Sequence, residues 1–363
     1  MTVLLWILAI LAVPTLLFCG WLGWVFLKEF FSASGDDNAA AEAAEKLGLL
    51  PAERQNTKYA GPLPAGWEEA LARAGGDWQA AAELLRDIGQ DWDRRSKAVG
   101  LLGDLAAEDD TWLLAWENAR PDDPDAAVVR ANSSVSVAWQ IRGTKRAQYT
   151  TQEQFTGFHR VLRRAREEIA RAAELNPDDP TPFVTELAVA FGLGYPHSEM
   201  DRLWAEVTAR APYHYEGHWR ALQYWCKKWR GSEELATEFA ERAAAKAPSG
   251  SLLTVLPLLA HFEHDDSDSS NGDRTPEMVA RVDAGLVDAA AADPTHPRLP
   301  ELRHFLAYYL ALQDRDEAAI EQFRLVDGHV GAVPWSYRGS DDAVARYYCR
   351  IRDLAALAVT STD

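Results

Sequence analysis

The sequence predicts an all-α protein, an apolar N-terminal helix followed by an array of helical hairpins, on three observations. No charged side chain occurs between Val3 and Leu27. From Trp67 onwards apolar residues recur at three- and four-residue steps, while the alternation expected of a half-buried strand is nearly absent. Alanine-rich helix ends then run repeatedly into proline, which lacks the amide donor and turns the residue before it away from helical geometry.

Residues 1–28 read as a transmembrane anchor. The 25 uncharged positions from Val3 to Leu27 would reach roughly 37 Å at about 1.5 Å per residue, enough for a hydrocarbon slab of about 30 Å with some tilt. Trp6, Trp21 and Trp24 stand towards its two ends, and Lys28 closes it. A cleaved signal peptide is the competing reading, but the run is longer than such an apolar core and no Lys or Arg precedes it. Cys19 follows Phe18, where a lipid-attachment box wants a small residue. With Lys28 as the flanking cation, the positive-inside rule expects a single-pass protein of the cell membrane with its remaining chain in the cytoplasm.

Residues 29–62 read as a spacer. They mix acids, alanines and turn formers, with one short helix from Asn38 to Leu47 and a Gly61-Pro62-Leu63-Pro64 break at the end. Residues 63–363 form the helical part. A content of 47% hydrophobic residues is enough for a large core. A net charge of −18 opposes phosphate tracking, so nucleic acid is not expected as a partner. Three cysteines, Cys19, Cys226 and Cys349, supply no disulfide framework.

Within the helical part, Thr151 and Gln154 form a capping-box signature, and Phe155, Phe158, Leu162, Ala165, Ile169 and Ala172 follow as one apolar stripe that Asn176-Pro177 ends. Tyr215, Trp219, Leu222, Cys226 and Trp229 share a face of a second helix, which Gly231-Ser232 breaks before another starts at Glu233. Helix ends meet proline at Pro121, Pro177, Pro212, Pro248 and Pro294, and Pro-Asp-Asp-Pro occurs at both 121–124 and 177–180. Successive prolines are 56, 35, 36 and 46 residues apart. Two of these spacings lie beside the period of about 34 residues found in one class of helical repeat.

Val184, Leu187, Ala188 and Phe191, followed by Trp204 and Pro212, resemble a tetratricopeptide repeat (TPR), although Met200 and Val207 stand where that family has alanine. Trp219, Leu222 and Cys226, then Ala236, Phe239, Ala243 and Pro248, resemble the next unit, with Gln223 departing at its small position. Leu302, Phe305, Tyr309, Ala318, Ala319 and Phe323 resemble a further one. The resemblance is clearest over residues 178–248 and implies a TPR-like solenoid with a concave, protein-binding groove. The chain also resembles a bacterial family of alanine- and arginine-rich, membrane-anchored helical-repeat proteins, which implies no activity. An irregular helical bundle is the architectural alternative.

No phosphate-cradling glycine loop, nucleophile elbow or His-Glu-x-x-His helix is present, so neither catalysis nor a cofactor is expected. His261, His264 and Asp265 are the nearest approach to a metal set and define a competing class, a metal-dependent helical enzyme domain. An extracytoplasmic structural module of the envelope is a third reading. His214 and His218 lie one turn apart, but Glu216 would point away from them. Cys226 is either a thiol activated by Lys227 and Lys228 or an inert core residue.

In tetratricopeptide-repeat proteins the first helix of each unit lines the groove, which assigns Arg220, Tyr224, Trp225, Lys227 and Lys228 to it. Their basic, aromatic character suits an acidic peptide or a C-terminal carboxylate. Arg142, Lys145, Arg146, Arg160, Arg163 and Arg164 form a basic patch in an acidic chain, suited to anionic lipid or an acidic partner unless neighbouring glutamates neutralise it. The expected function is therefore that of a membrane-anchored, non-catalytic scaffold or adaptor.

Overall fold

The computed structural model describes residues 37–143, 150–265 and 270–362, and within them the chain is all-α, as predicted. Residues 37–46 are helical (α1). Then come α2 (Trp67–Ala74), α3 (Trp78–Ile88), α4 (Trp92–Glu108), α5 (Thr111–Ala119), α6 (Pro124–Arg142), α7 (Gln152–Leu175) and α8 (Thr181–Leu193). They are followed by α9 (His197–Arg210), α10 (Tyr215–Trp225), α11 (Glu233–Lys246), α12 (Val255–His264), α13 (Pro276–Ala291), α14 (Leu299–Leu312), α15 (Asp316–Val326) and α16 (Asp341–Thr362). The only β-type pairing among the described residues is a single bridge between Asn56 and His329.

From α4 to α16 each even-numbered helix packs on the next even-numbered one. Helices α7, α11, α13 and α15 each pack on the even helix before and the even helix after. The even helices thus carry apolar surface on more than one side. α8 shows this in its sequence: Val184, Thr185, Leu187, Ala188, Val189 and Ala190 are all buried. A smaller core joins α2 to α6 and the end of α7, around Trp67, Leu85, Trp112 and Trp116, and a larger one runs from α6 to α16.

Local sequence sets the helix ends. The capping box is formed as expected: Thr151 Oγ1 accepts the Gln154 amide at 3.2 Å, and the Gln154 side chain accepts the Thr151 amide at 3.0 Å. In the first Pro-Asp-Asp-Pro turn Asp123 is the N-cap of α6 and accepts the Asp125 amide; in the second, Pro180 holds the cap position of α8 and Asp179, just before it, accepts the Thr181 amide. Asp179 also takes the buried Arg95 guanidinium, Nε to Oδ2 at 2.7 Å, while Asp125 takes Nη2 at 2.5 Å. One α4 side chain therefore fastens the starts of α6 and α8. An N-cap of this kind stabilises a helix by about 1 kcal/mol.

The row bends back on itself. The start of α4 meets the start of α10, where Asp93 Oδ1 accepts the Tyr215 amide at 3.0 Å and His214 Nε2 lies 2.9 Å from Ser96 Oγ. It also meets the start of α14, where Lys97 Nζ lies 3.3 Å from Glu301 Oε1. Residues 50–60 then cross the C-terminal helices as a strap. The Leu50 amide donates to Asp327 Oδ2 at 2.7 Å, and the Val330 amide to the Asn56 carbonyl at 2.7 Å. The Gly331 amide donates to the Tyr59 carbonyl at 2.9 Å, and Arg352 Nη1 to the Leu50 carbonyl at 2.7 Å.

Two expectations are corrected here. The anchor over residues 1–28 lies outside the described residues, and the membrane placement drawn from it does not stand: no helix among the described residues is long and apolar enough to cross a membrane. Helix α12 is apolar but has 10 residues, which reach about 15 Å, half of a slab of about 30 Å. Helices α7 and α16 are longer, but charged residues recur along them. Secondly, the spacer is not a detached stalk in its described part. Its short helix is present, but Ala43, Ala44, Leu49 and Ala60 are buried in the larger core, so residues 37–62 belong to the helical body.

Candidate functional site: a groove along the even helices

Helices α4, α6, α8 and α10 surround an open groove of about 720 Å³. Each helix contributes side chains at helical spacing from one face: Asn132, Val135, Ser136, Trp139 and Gln140 from α6, Ala188 and Phe191 from α8, and Glu216, Trp219, Arg220 and Gln223 from α10. Helix α4 contributes Asp104. Its neighbour Gly103 permits close approach, because a Cβ there would collide with the Asn132 side chain.

The groove walls are aromatic. Trp139 packs edge-on to Phe158 at 4.9 Å between centroids and lies 5.4 Å from Phe191. Trp229 completes this cluster, 5.7 Å from Trp139 and 5.0 Å from Phe191. The Arg142 guanidinium lies over both indoles, at 5.5 and 5.6 Å, and burial there lowers its pKa. Trp219 stacks on Tyr215 and reaches Phe305 of α14.

Most charge along the groove is already balanced. Glu216 accepts from Arg220 Nε at 2.6 Å and from Arg298 Nη2 at 2.6 Å. Burial alone would raise its pKa, but the Arg298 and Arg220 guanidiniums outweigh that and hold the carboxyl at about 2. Arg298 also meets Glu301 at 3.1 Å, so a Lys97–Glu301–Arg298–Glu216–Arg220 chain of charges runs from the junction of α4, α10 and α14 into the groove floor. Beyond Gln223, Glu263 accepts from Gln223 Nε2 at 3.0 Å, Tyr337 OH at 2.6 Å and Lys228 Nζ at 2.7 Å.

Asp104 is the exception. Its carboxylate accepts from Ser136 Oγ at 2.7 Å and forms no ion pair among the described residues. Burial raises its pKa, an effect that Ser136 and the more distant charges of Arg220 and Lys58 reduce without cancelling. Neither periodicity nor motif singled this aspartate out.

The predicted groove residues separate. Arg220 lines the groove but is held by Glu216. Tyr224 is fully buried, donating its hydroxyl to the Tyr195 carbonyl at 2.7 Å, so its place in the groove is corrected. Trp225 is half-buried against Tyr224 and His197, Lys227 is exposed, and Lys228 is bound to Glu263. Trp219, assigned to the core stripe from sequence, is instead a groove wall. The basic face expected of α10 is thus largely neutralised.

Of the basic patch, Lys145 and Arg146 lie outside the described residues. Arg142 turns onto the groove aromatics, while Arg160, Arg163 and Arg164 are exposed on α7, Arg164 meeting Glu168 at 3.2 Å. The histidine pair is structural. His214 caps α10 by accepting the Gly217 amide at 3.0 Å, and His218 Nδ1 bonds the His214 carbonyl at 2.9 Å. Cys226 is fully buried with its thiol pushed up to about 12 by burial, which excludes activation by the neighbouring lysines.

His264 is withdrawn from the expected metal set. Its Nε2 accepts the Lys227 amide at 3.2 Å and its Nδ1 bonds the Ala260 carbonyl at 2.8 Å. Asp273, 12 residues from His261, takes its place beside His261 and Asp265. No family model, curated protein or solved structure matches the chain.

Proposed function

We propose that the hairpins from α4 to α16 form a tetratricopeptide-like array, and that the chain is a non-catalytic adaptor or scaffold that captures an extended segment of another protein in the groove of α4, α6, α8 and α10. The packing of even helices along one row, with their partners outside it, supports the repeat reading.

The observation that carries the binding reading is a long aromatic groove whose one carboxylate outside an ion pair is Asp104. An acidic ligand loses its basis once Glu216 and Glu263 hold Arg220 and Lys228. A segment bearing Lys or Arg beside an apolar side chain gains one. Its cation would pair with Asp104 and lie near the faces of Trp139 and Trp219, a combination worth about 1–2 kcal/mol per contact when desolvated. Arg142 over Trp139 shows the same cation–ring geometry inside the chain.

Peptide arrays probed with the full chain test this. Retained peptides should be enriched in Lys or Arg next to an aromatic or aliphatic residue. Asp104→Asn should weaken them about tenfold, roughly 1.4 kcal/mol, and Trp139→Ala by at least as much. Enrichment of acidic peptides, or full retention by Asp104→Asn, would overturn the assignment.

A further inference from the structure

We propose that His261, Asp265 and Asp273 form a binding site for a divalent transition cation, zinc being the best match. His261 lies in the last turn of α12, Asp265 follows that helix directly, and Asp273 sits in the short turn Gly272–Arg274 that leads into α13. The three ligand atoms, one from each residue, all lie within 4.8 Å of one another. His261 Nε2 is 2.9 Å from Asp273 Oδ1 and 3.9 Å from Asp265 Oδ2.

Ligands bound to zinc at about 2.0–2.2 Å in a tetrahedron stand roughly 3.3–3.6 Å apart. The observed separations reach that geometry with shifts of a few tenths of an ångström to about 1 Å. The donor set also selects the ion. One imidazole nitrogen with two carboxylates disfavours calcium and magnesium, which take oxygen ligands, and it leaves a fourth position for water. Two carboxylates and a neutral imidazole carry a net charge of −2, which a divalent cation cancels.

The surroundings hold the donors in place. The Asp273 backbone is fixed at both ends, its amide donating to the Ser270 carbonyl at 3.1 Å and its carbonyl accepting Gln313 Nε2 at 2.8 Å. The Asp273 side chain is 7% exposed, and its ion-pair partner is His261. The adjacent cation, Arg274, is drawn away, with Nε on the Leu312 carbonyl at 2.7 Å and Nη2 on Asp314 at 2.8 Å. The His261 ring also packs 5.9 Å from Tyr309. A divalent ion would draw the imidazole and both carboxylates onto one centre. Such an ion would staple the end of α12 to the start of α13.

The full chain, stripped with chelator and titrated with zinc by calorimetry at pH 7.5, provides the test, with a thermal melt at each point. One equivalent should bind in the micromolar range or tighter and raise the melting temperature. Asp265→Asn should weaken uptake by about tenfold or more, and so should His261→Gln, with the zinc-free melting temperature of each variant reporting whether the fold is kept. His264→Gln should bind as the parent does. Affinity should also fall as the solution is made more acidic, because protons compete with the metal for its ligands. Absence of stoichiometric uptake, or equal uptake by Asp265→Asn and His261→Gln, would refute the site.

Discussion

Trp335 donates its indole N–H to Nδ1 of His304 at 2.9 Å, while Nε2 of the same ring meets the Ala60 carbonyl at 2.8 Å. Only a neutral imidazole with its proton on Nε2 makes both bonds, so the core interaction that ties the strap to α14 and to Trp335 also fixes a protonation state. Burial holds the His304 pKa down to about 4, and burial does the same to His218.

Acid should therefore unfold this protein from a pH higher than carboxylate protonation alone would require. Both histidines titrate near 6.5 when unfolded and near 4 when folded, so between those values the unfolded chain binds the extra protons and stability falls as pH falls. Each accounts for roughly 3 kcal/mol across the whole window, and neither contributes at pH 8. Urea midpoints measured from pH 8 to pH 4 should decline most steeply below 6.5. A flat profile down to pH 4.5 would contradict the assignment.

The strap should depend on Gly331. A Cβ at that position would lie 2.5 Å from the Lys58 carbonyl carbon and the Tyr59 nitrogen, and these are backbone atoms that cannot rotate aside. Gly331→Ala is expected to lower stability by about 2 kcal/mol, the usual scale for overpacking. Gly75→Ala is the control, because nothing lies within 4 Å of a Cβ there and its φ is an ordinary −61°. Equal denaturation midpoints for the two variants would show that the crossing is looser than described.

Arg298 should be costly to remove. It bridges Glu216 and Glu301, both largely buried, and its loss leaves each with one remaining cation, Arg220 and Lys97 respectively. Replacement by methionine is expected to cost about 3–5 kcal/mol, the range for stripping one partner from a buried pair. Chemical denaturation of Arg298→Met would measure it, and a loss below 1 kcal/mol would mean that the charges are better solvated than their setting implies.

The thiols offer a probe that needs no substitution. Burial pushes Cys226 and Cys349 each up to about 12, and both are buried. At pH 8 neither should react with a thiol reagent on the time scale of minutes, and both should react fully in denaturant. Rapid native labelling of Cys226, located by peptide mapping, would argue against the packing described for α10.

Much of the helical framework is legible from short-range signals. The Thr151–Gln154 cap, the Asn176-Pro177 stop and the two Pro-Asp-Asp-Pro turns all act within a few residues of themselves, and the structure uses each as read. The inner and outer faces of α10 were not legible. That helix packs on α8, α11 and α12, so apolar residues occupy several sides of it, and a single stripe could not separate the groove residue Trp219 from the buried Tyr224. The strap left no trace either, because its bonds are mostly made by backbone groups to residues far along the chain, and a polar, turn-rich composition reads as linker. Asp273 joins His261 through a turn rather than helical spacing, which is why His264 stood in its place.

The bond between Leu50 and Asp327 joins residues 277 positions apart. Ribosomes adding about 5–20 residues per second would leave Leu50 waiting on the order of tens of seconds before Asp327 is made. Until then the first-made helices can dock locally, but this seam stays unsealed. A message cut short before that point would yield helices joined through α4, α10 and α14 but lacking the strap's stitch to Asp327, a form that quality-control proteases could distinguish from the finished product.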